Sequence, residues 1–280
     1  MTKVLYIGGT GRTGSTVLDR LLGAADGWVS GGELAFFWRH GLVGEGRCSC
    51  GEPLRSCPVW ARALAILEQT EPLDARRMVA LRRRFWSIHL PLMWSTRFTA
   101  ARLDDLEEFP STVARLYRAV ADVTASSVIV DSSKEPHYSM ILRERTDLDI
   151  YFLHLVRDPR ATGFSWKGRK AEVGFGTTRL MERRGLVKSS VYYLVSNIAA
   201  ERLWRGHPDR YRLLRYEDFT ADPRGCLAAI AAWIGDHADL AVVVHDDRTV
   251  EPTTSHLAWG NPNRFDQGSS RVTNDTRWIA

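Results

Sequence analysis

Short apolar runs, each followed by a segment with helical spacing, recur along the chain. The runs at residues 4–7, 128–130 and 150–156 contain few polar residues, which is typical of strands buried on both faces of a parallel sheet. After the first run, apolar residues recur on one side of residues 17–22, as in a helix that packs on a sheet. This alternation predicts an α/β fold in which a central parallel sheet is flanked by helices.

A long stretch with helical spacing separates the first two of these runs. Between about residues 59 and 124, apolar side chains recur every three or four positions. Pro72, Pro91 and Pro110 are expected to divide this stretch into separate helices. A chain of 280 residues suits one α/β domain with a large core. We therefore predict a single domain over residues 1–280 with a helical insertion at about 59–124, which forms the acceptor side of the protein.

The overall charge favours an anionic ligand. The formal net charge is +5 and the pI is about 9.2. No long run of Lys and Arg and no ladder of aromatic and basic residues occurs, so nucleic acid binding is not expected.

The sequence contains no run of about 18 apolar residues, so no membrane span is predicted. The first strand begins at Lys3 or Val4 and leaves no room for a signal peptide, so we expect a cytoplasmic protein. The sequence does not indicate an oligomeric state.

The segment between the first strand and the first helix is rich in glycine and hydroxyl groups. Glycines let backbone N–H groups approach phosphate oxygens, and the start of a helix adds partial positive charge. We therefore predict that this turn binds a phosphorylated ligand. Its sequence is Gly9-Thr10-Gly11-Arg12-Thr13-Gly14-Ser15-Thr16.

Three classes of protein use such a turn. A P-loop kinase or hydrolase needs a Lys after the last glycine, but Ser15 stands at that position. A dinucleotide-binding fold is matched by G-x-G-x-x-G from Gly9 to Gly14, with Glu33 near the position of a ribose-binding acid. The chain has no Tyr-x-x-x-Lys pair, so an NAD(P)-binding reductase of the short-chain type would lack its usual catalytic residues. The third class has a cation within the turn, which here is Arg12.

The turn that contains Arg12 resembles the loop with which sulfotransferases hold the 5′-phosphosulfate of 3′-phosphoadenylyl sulfate (PAPS). That donor carries a second phosphate on its ribose. Arg157 follows the apolar run 149–156, and Ser165 lies eight residues later, an arrangement that resembles the 3′-phosphate motif of the same family. The forked guanidinium of Arg suits phosphate. The resemblance implies that the donor is held by Gly11, Arg12, Thr13, Gly14, Ser15, Thr16, Arg157 and Ser165.

Two further motifs follow in the order in which the family has them. A strand at about residues 212–215 leads into Tyr216 and then into an apolar helix, and the resemblance implies that Tyr216 contacts adenine. The C-terminal loop resembles the family's lid over the 3′-phosphate, with Arg264 as the best match. The chain is thus similar to PAPS-dependent sulfotransferases, in particular the bacterial small-molecule and tyrosylprotein branches. The resemblance implies a P-loop-like architecture and a small-molecule hydroxyl, such as one on a natural product, as the acceptor.

Sulfuryl transfer requires a cation near the leaving phosphate and a base near the acceptor hydroxyl. Lys134 precedes an acid and a proline, a context in which the tyrosylprotein branch places its catalytic Lys, and the resemblance implies that role for Lys134 together with Arg12. The segment that ends in Glu33 resembles the one that supplies a catalytic Glu in that branch. Cytosolic members use a His just after the Lys, for which His137 is the nearest match. We favour Glu33 as the base and keep His137 as the alternative.

Three of the four cysteines lie close together, at positions 48, 50 and 57. Their spacing fits no common zinc motif, and a fourth ligand would have to come from His40 or Cys226. A disulfide is disfavoured in a reducing cytosol. We therefore expect free or redox-labile thiols and assign no metal site, with one disulfide or a metal ion as the alternatives.

Overall fold

The computed structural model describes residues 2–92, 107–143, 147–168, 171–172, 179–180, 183–245, 248–250, 255–266 and 268–279. A 3-10 turn at Leu34–Phe36 and a π-helical segment at Phe37–Val43 follow the second strand. In chain order the strands and helices are β1 (Thr2–Gly9), α1 (Ser15–Leu22), β2 (Trp28–Gly32), α2 (Trp60–Glu68), α3 (Ala75–Leu92), α4 (Glu108–Thr124), β3 (Val128–Lys134), α5 (Pro136–Arg143), β4 (Leu148–Val156), α6 (Pro159–Lys167), β5 (Ala171–Glu172), β6 (Arg179–Leu180), α7 (Leu186–Trp204), β7 (Tyr211–Arg215), α8 (Tyr216–Ala221), α9 (Pro223–Trp233), β8 (Thr249–Val250) and β9 (Ser270–Arg271).

A parallel sheet forms the centre of the fold, with its strands in the order β2, β3, β1, β4 and β7. In the central strand β1, Lys3 lies opposite both Val128 of β3 and Asp149 of β4. Two short antiparallel pairs, β5 with β6 and β8 with β9, lie outside this sheet. The predicted fold class, a central parallel sheet flanked by helices, is confirmed. Ligands bind such sheets beyond the carboxyl ends of the strands, where the strand order reverses beside β1.

The apolar sequence of β1 follows from burial of both its faces. Val4 and Tyr6 pack into one core cluster with residues of α2, α4 and α7, whereas Leu5 and Ile7 pack into a second with residues of α1 and α9. Successive side chains point to opposite faces of a strand, so residues 4–7 place large apolar side chains alternately in the two layers. Burying one such side chain stabilises the fold by about 1.5–3 kcal/mol.

Helices α2, α3 and α4 occupy the region predicted to be helical, with residues 93–106 outside the described part of the chain. Pro110 lies in the first turn of α4, where a missing N–H leaves no helical hydrogen bond unmade, so it marks the start of a separate helix as predicted. Pro91 lies within α3, one residue before its end. In the described part of the chain, none of the helices combines the length and the apolar character that a membrane crossing requires.

Two fully buried aspartates tie the helices to the carboxyl edge of the sheet. Asp19 of α1 accepts hydrogen bonds from the hydroxyls of Ser30 in β2 and Ser132 in β3. Asp131 of β3 accepts hydrogen bonds from the Tyr117 hydroxyl and from Ser133. Burial raises the pKa of Asp19 to about 7 and that of Asp131 to about 6, although the hydroxyl hydrogen bonds act in the opposite direction. Both carboxyls therefore titrate near neutral pH in the folded protein.

The Asp19→Asn variant should be less stable than the wild type at low pH, and this difference in the free energy of unfolding should shrink as the pH rises. The ordinary pKa of 3.8 rises to about 7 on folding, so the native state binds more protons than the unfolded state between these values. The free energy of unfolding of the wild type therefore falls as the pH rises through this window, by an amount on the order of a few kcal/mol, and the variant lacks this term. Urea unfolding at pH 5 and pH 8 measures the difference between the two proteins. The exposed Asp26→Asn substitution is the matched control, and an equal pH dependence in both variants would contradict the assignment.

Candidate active site

A cavity of about 710 Å³ opens at the carboxyl ends of the central strands. Its walls come from the β1–α1 turn, the residues after β2, the end of β3 and the segment from the end of β4 into α6. A further wall comes from the C-terminal segment, by which we mean the described residues from 255 to 279. Among the described residues, cationic side chains in the lining outnumber acidic ones. The cations are Arg12, Lys134, Arg157, Arg184 and Arg277, and the acids are Glu33, Glu135 and Asp275.

The β1–α1 turn supplies one wall of the cavity. Its lining residues are Gly11, Arg12, Gly14, Ser15 and Thr16, whereas Thr13 is buried and donates its hydroxyl to the Thr10 carbonyl at 3.0 Å. Helix α1 begins at Ser15, and the first N–H groups of a helix have no acceptor within it. Gly14 has φ of +87°, and a Cβ atom there would lie 2.4 Å from the Tyr216 ring. Glycine therefore allows both the turn and the close approach of Tyr216.

Arg12 and Lys134 are held in an unusual backbone conformation. Both have φ of +70°, a region that residues other than glycine seldom adopt and that clusters at functional sites. The Arg12 guanidinium lies 4.8 Å from the centre of the Trp166 ring, a favourable contact between a cation and an aromatic face. Burial lowers the pKa of Arg12, with Glu33 acting against this effect and Arg184 adding to it. A bound anion would compensate the burial of this charge.

An ion pair joins the ends of two neighbouring strands. Lys134, the last residue of β3, donates from Nζ to Glu33 Oε1 at 2.7 Å and to the Ser132 carbonyl at 2.6 Å. Glu33 directly follows β2, and β2 and β3 are paired in the sheet, so residues 101 positions apart meet. An ammonium group has three N–H donors. Among the described residues these two contacts use two of them, which leaves one for a ligand.

The two candidate bases occupy different environments. Glu33 lines the cavity, whereas His137 is buried on α5 and is absent from the described lining. His137 Nε2 lies 3.3 Å from Glu135 Oε2, which also accepts a hydrogen bond from Arg82 at 2.6 Å. Although burial acts to raise it, the pKa of Glu135 is held at about 2 by these two partners. Of the two candidate bases, Glu33 therefore lies at the cavity, whereas His137 is paired with Glu135.

Arg157 and Ser165 both line the cavity. Arg157 follows β4 and Ser165 belongs to α6. The Arg157 guanidinium lies 4.6 Å from the centre of the Tyr216 ring, and its Nη2 is 3.5 Å from Asp275 Oδ2. Its Nε is buried and has no hydrogen-bond partner among the described residues. Because buried polar atoms are nearly always paired, this atom indicates a place for a ligand acceptor.

Helix α8 is held beside the end of β4, which places Tyr216 in the cavity wall. The Asp158 backbone N–H donates to Glu217 Oε1 at 2.9 Å, and the Tyr216 hydroxyl donates to the Thr273 carbonyl at 3.2 Å. These two contacts connect the end of β4, the start of α8 and the C-terminal segment. Tyr216 therefore lies beside both the β1–α1 turn and Arg157.

Arg264, expected in the lid, is not part of the described cavity lining. It is buried, donates to the Gly260 and Arg47 carbonyls, and packs its guanidinium on the Trp259 and Phe265 rings. The C-terminal residues in the lining are instead Asn261, Asn263, Asp275 and Arg277. Sequence reasoning also missed Arg184, which packs on Trp166 and Tyr192. Neither Arg184 nor Arg277 stands beside a strand end or glycine turn that would have indicated it.

The C-terminal segment pairs with the end of β2 and with Glu33, the residue that follows it. The Trp259 carbonyl accepts a hydrogen bond from the Glu33 N–H at 2.9 Å, and the Ala258 N–H donates to the Gly31 carbonyl at 3.0 Å. Gly32 has φ of +74°, and a Cβ atom there would lie 2.3 Å from the Trp259 carbonyl oxygen. This pairing positions the backbone of Glu33.

The cysteine cluster lies under the same C-terminal segment. Cys48, Cys50 and Cys57 come together with His256, and one ligand atom from each lies within 4.8 Å of the others. The prediction that a fourth group would be His40 or Cys226 is wrong. His40 instead stacks on Trp259. The histidine of the cluster is His256, which is so far from the cysteines in the sequence that residue spacing gives no signal of it.

Comparisons with known proteins concern the family and the fold of this chain. A family model described as "Sulfotransferase family" matches residues 5–237. The sulfotransferase domain from the curacin biosynthetic pathway has a similar structure, with a TM-score of 0.54 and 17% identity, covering 99% of this chain and 89% of that one. A sulfotransferase domain of the Synechococcus PCC 7002 olefin synthase gives a TM-score of 0.47 and 21% identity, with coverages of 94% and 81%. No curated protein matches the chain at a significant level.

We expect Gly32→Ala to destabilise the protein. Alanine at a positive φ costs about 1–2 kcal/mol, and its Cβ atom would also push the Trp259 carbonyl away from Glu33. Gly206→Ala is the matched control, because nothing lies within 4 Å of a Cβ atom at that position. Urea unfolding measures both variants. If Gly32→Ala proves as stable as Gly206→Ala, the close approach of the C-terminal segment is wrong.

Proposed function

The chain belongs to the sulfotransferase family, and we propose that it transfers a sulfuryl group from PAPS to a hydroxyl of a small-molecule acceptor. One observation carries this proposal. A single cavity is lined at two separate positions by a cation, Arg12 in the β1–α1 turn and Arg157 with Ser165, and also contains the Lys134–Glu33 ion pair. A donor with phosphate groups at two positions needs both cationic positions, and transfer of its sulfuryl group needs the cation and the carboxylate of the pair.

The donor is proposed to lie along the carboxyl edge of the sheet. The N–H groups at the start of α1, the hydroxyls of Ser15 and Thr16 and the Arg12 guanidinium hold its 5′-phosphosulfate. Arg157 and Ser165 hold its 3′-phosphate. Asp275 places a negative charge beside Arg157, and a phosphate at this position would bring more charge and more acceptor oxygens. Tyr216 lies next to both positions, so we expect the adenine, which is attached to the ribose that carries both phosphates, to contact its ring.

The transfer itself follows from the ion pair. The acceptor oxygen attacks sulfur, the bond from sulfur to the bridging phosphate oxygen breaks, and 3′-phosphoadenosine 5′-phosphate leaves. The acceptor proton passes to the Glu33 carboxylate. Negative charge that develops on the bridging oxygen is stabilised by Lys134 Nζ and the Arg12 guanidinium, which are already oriented. The ion pair keeps Glu33 and Lys134 adjacent. The base for the attacking oxygen and the cation for the leaving oxygen are therefore positioned before the substrates bind.

Aromatic residues in the cavity favour an acceptor with an apolar part. Phe36, Phe164, Trp166 and Tyr192 line the cavity together with Glu33. The Trp166 Nε1 atom is buried without a hydrogen-bond partner among the described residues, so it supplies a donor to a polar group of the ligand. The similar domain from the curacin biosynthetic pathway agrees with a natural product as the acceptor class.

No observation favours either alternative function, an NAD(P)-binding reductase or a P-loop kinase. In the common dinucleotide-binding order, β2 adjoins β1, whereas here β3 lies between them. The acid in the ribose position, Glu33, is instead paired with Lys134. For a nucleoside triphosphate kinase, the position of the phosphate-binding Lys is occupied by Ser15, which is buried. The proposed donor therefore accounts for more of the cavity than NADPH or ATP does.

Ligand binding tests the donor directly. We expect 3′-phosphoadenosine 5′-phosphate to raise the Tm by a few degrees, because a ligand at 100 times its Kd adds about 2.7 kcal/mol. NADPH and ATP at the same concentration should have a smaller effect. Arg157→Ala should reduce the shift, whereas Arg62→Ala, an exposed change on α2, should leave it intact. A shift with NADPH alone would overturn the proposal.

Steady-state kinetics test the catalytic roles. Arg12→Ala, Lys134→Ala and Glu33→Gln should each lower kcat by about 10²–10³, the scale of losing one oriented charge or base. His137→Gln should retain kcat within about tenfold, since loss of a group outside the cavity removes no transition-state contact. Binding of 3′-phosphoadenosine 5′-phosphate by Glu33→Gln shows that the variant is folded. Near-full activity of Glu33→Gln combined with a large loss in His137→Gln would reverse the assignment of the base.

A further inference from the structure

A second cluster of reactive side chains lies outside the active-site cavity. The Sγ atoms of Cys48, Cys50 and Cys57 and one ring nitrogen of His256 lie within 4.8 Å of one another. His256 Nδ1 is 3.2 Å from Cys57 Sγ and 3.7 Å from Cys48 Sγ. Tetrahedral zinc with Zn–S near 2.3 Å and Zn–N near 2.0 Å places neighbouring ligand atoms about 3.5–3.8 Å apart. The four atoms are thus already near the separations that one ion requires.

We propose that Cys48, Cys50, Cys57 and His256 bind a structural Zn²⁺ ion. Three thiolates and one imidazole are a donor set found in structural zinc sites, in which the protein fills all four positions. Cys48 and Cys57 are buried, and Cys50 and His256 are half-buried. A closed set of four protein ligands leaves no position for a substrate. The site therefore stabilises the protein and takes no part in the reaction.

The backbone around the cysteines forms the turns that a metal site needs. The Cys48 N–H donates to the Glu52 carbonyl at 2.8 Å, and the Gly51 N–H donates back to the Cys48 carbonyl at 2.9 Å. This tight turn, with Gly51 at φ of +93°, holds the sulfurs of Cys48 and Cys50 together. Cys57 stands just before α2, where helix N–H groups and the helix dipole favour a thiolate. Contacts of this kind around the ligands are typical of bound zinc.

The ion would connect two segments that are distant in the sequence. Cys57 and His256 are separated by 199 positions. The Trp60 Nε1–H donates to the His256 carbonyl at 2.7 Å, and the Ser49 N–H donates to the Leu257 carbonyl at 3.0 Å. Because the site does not exist in the unfolded chain, binding free energy of the metal becomes folding free energy. Closing so long a loop adds to that stabilisation.

The proposed site also supports the active site through one short segment. Ala258 and Trp259, two and three residues after His256, pair with Gly31 and Glu33. Zinc therefore anchors the segment whose hydrogen bonds position the backbone of Glu33. Binding is a coordination step without redox change, in which the three thiols release their protons as they bind Zn²⁺.

Metal analysis of the full chain tests the site independently of activity. We expect wild-type protein, purified without added metal or chelator, to contain about one zinc ion per chain. Cys50→Ser should lower the zinc content severalfold and lower the Tm by several degrees. Cys226→Ser is the matched control and should keep both values. If Cys50→Ser does not fold, zinc release from folded wild type on thiol modification gives the stoichiometry instead.

Three outcomes would overturn the proposal. The first is wild-type protein that holds no zinc as purified and takes up none after incubation with Zn²⁺ and gel filtration. The second is an intact mass lower by two hydrogens in zinc-free protein, which shows a disulfide among the cysteines. The third is equal loss of zinc from Cys226→Ser and Cys50→Ser, which places the metal elsewhere. A visible spectrum typical of tetrahedral thiolate coordination after replacement by Co²⁺ would support the proposed ligands.

Discussion

Parallel pairing of β1 with both β3 and β4 is the constraint on which the remaining structure depends. Both faces of β1 are buried, by Val4 and Tyr6 on one side and Leu5 and Ile7 on the other, so a slip of one residue in its register would move each of these side chains into the opposite core layer. Parallel pairing then brings the carboxyl ends of β1, β3 and β4 to one edge. The β1–α1 turn, Lys134 and Arg157 meet there for that reason.

Placing the cationic side chains at the carboxyl edge of the sheet costs conformational and desolvation free energy. Arg12 and Lys134 adopt positive φ values, and burial lowers the pKa of Arg12. Aromatic rings partly compensate, since Trp166 and Tyr216 offer their faces to Arg12 and Arg157. Glu33 and Asp275 neutralise two of the cations. The site thus gathers several positive charges in one cavity, which favours an anionic ligand.

The C-terminal segment connects features that are otherwise separate. Over a few residues, it contributes His256 to the cysteine cluster, pairs Trp259 with Glu33 and supplies Asn261 to the cavity lining. Stability of the cysteine cluster and positioning of the proposed base are therefore coupled through short backbone hydrogen bonds. Gly32 permits this arrangement, because any side chain there would meet the Trp259 carbonyl.

The sequence by itself determined the α/β class, the glycine-rich turn between β1 and α1, and the position of Arg157 at the end of β4, because these depend on local patterns of apolar residues, glycines and strand ends. It also marked Glu33 and Lys134, but their contact required the neighbouring positions of β2 and β3. Tertiary structure alone decided that Arg264 is buried against Trp259, that Arg184 and Arg277 reach the cavity, and that His256 joins the cysteines. These contacts join residues far apart in the chain, and their geometry is set by packing of the C-terminal segment on the sheet edge, which leaves no periodic signal in the sequence.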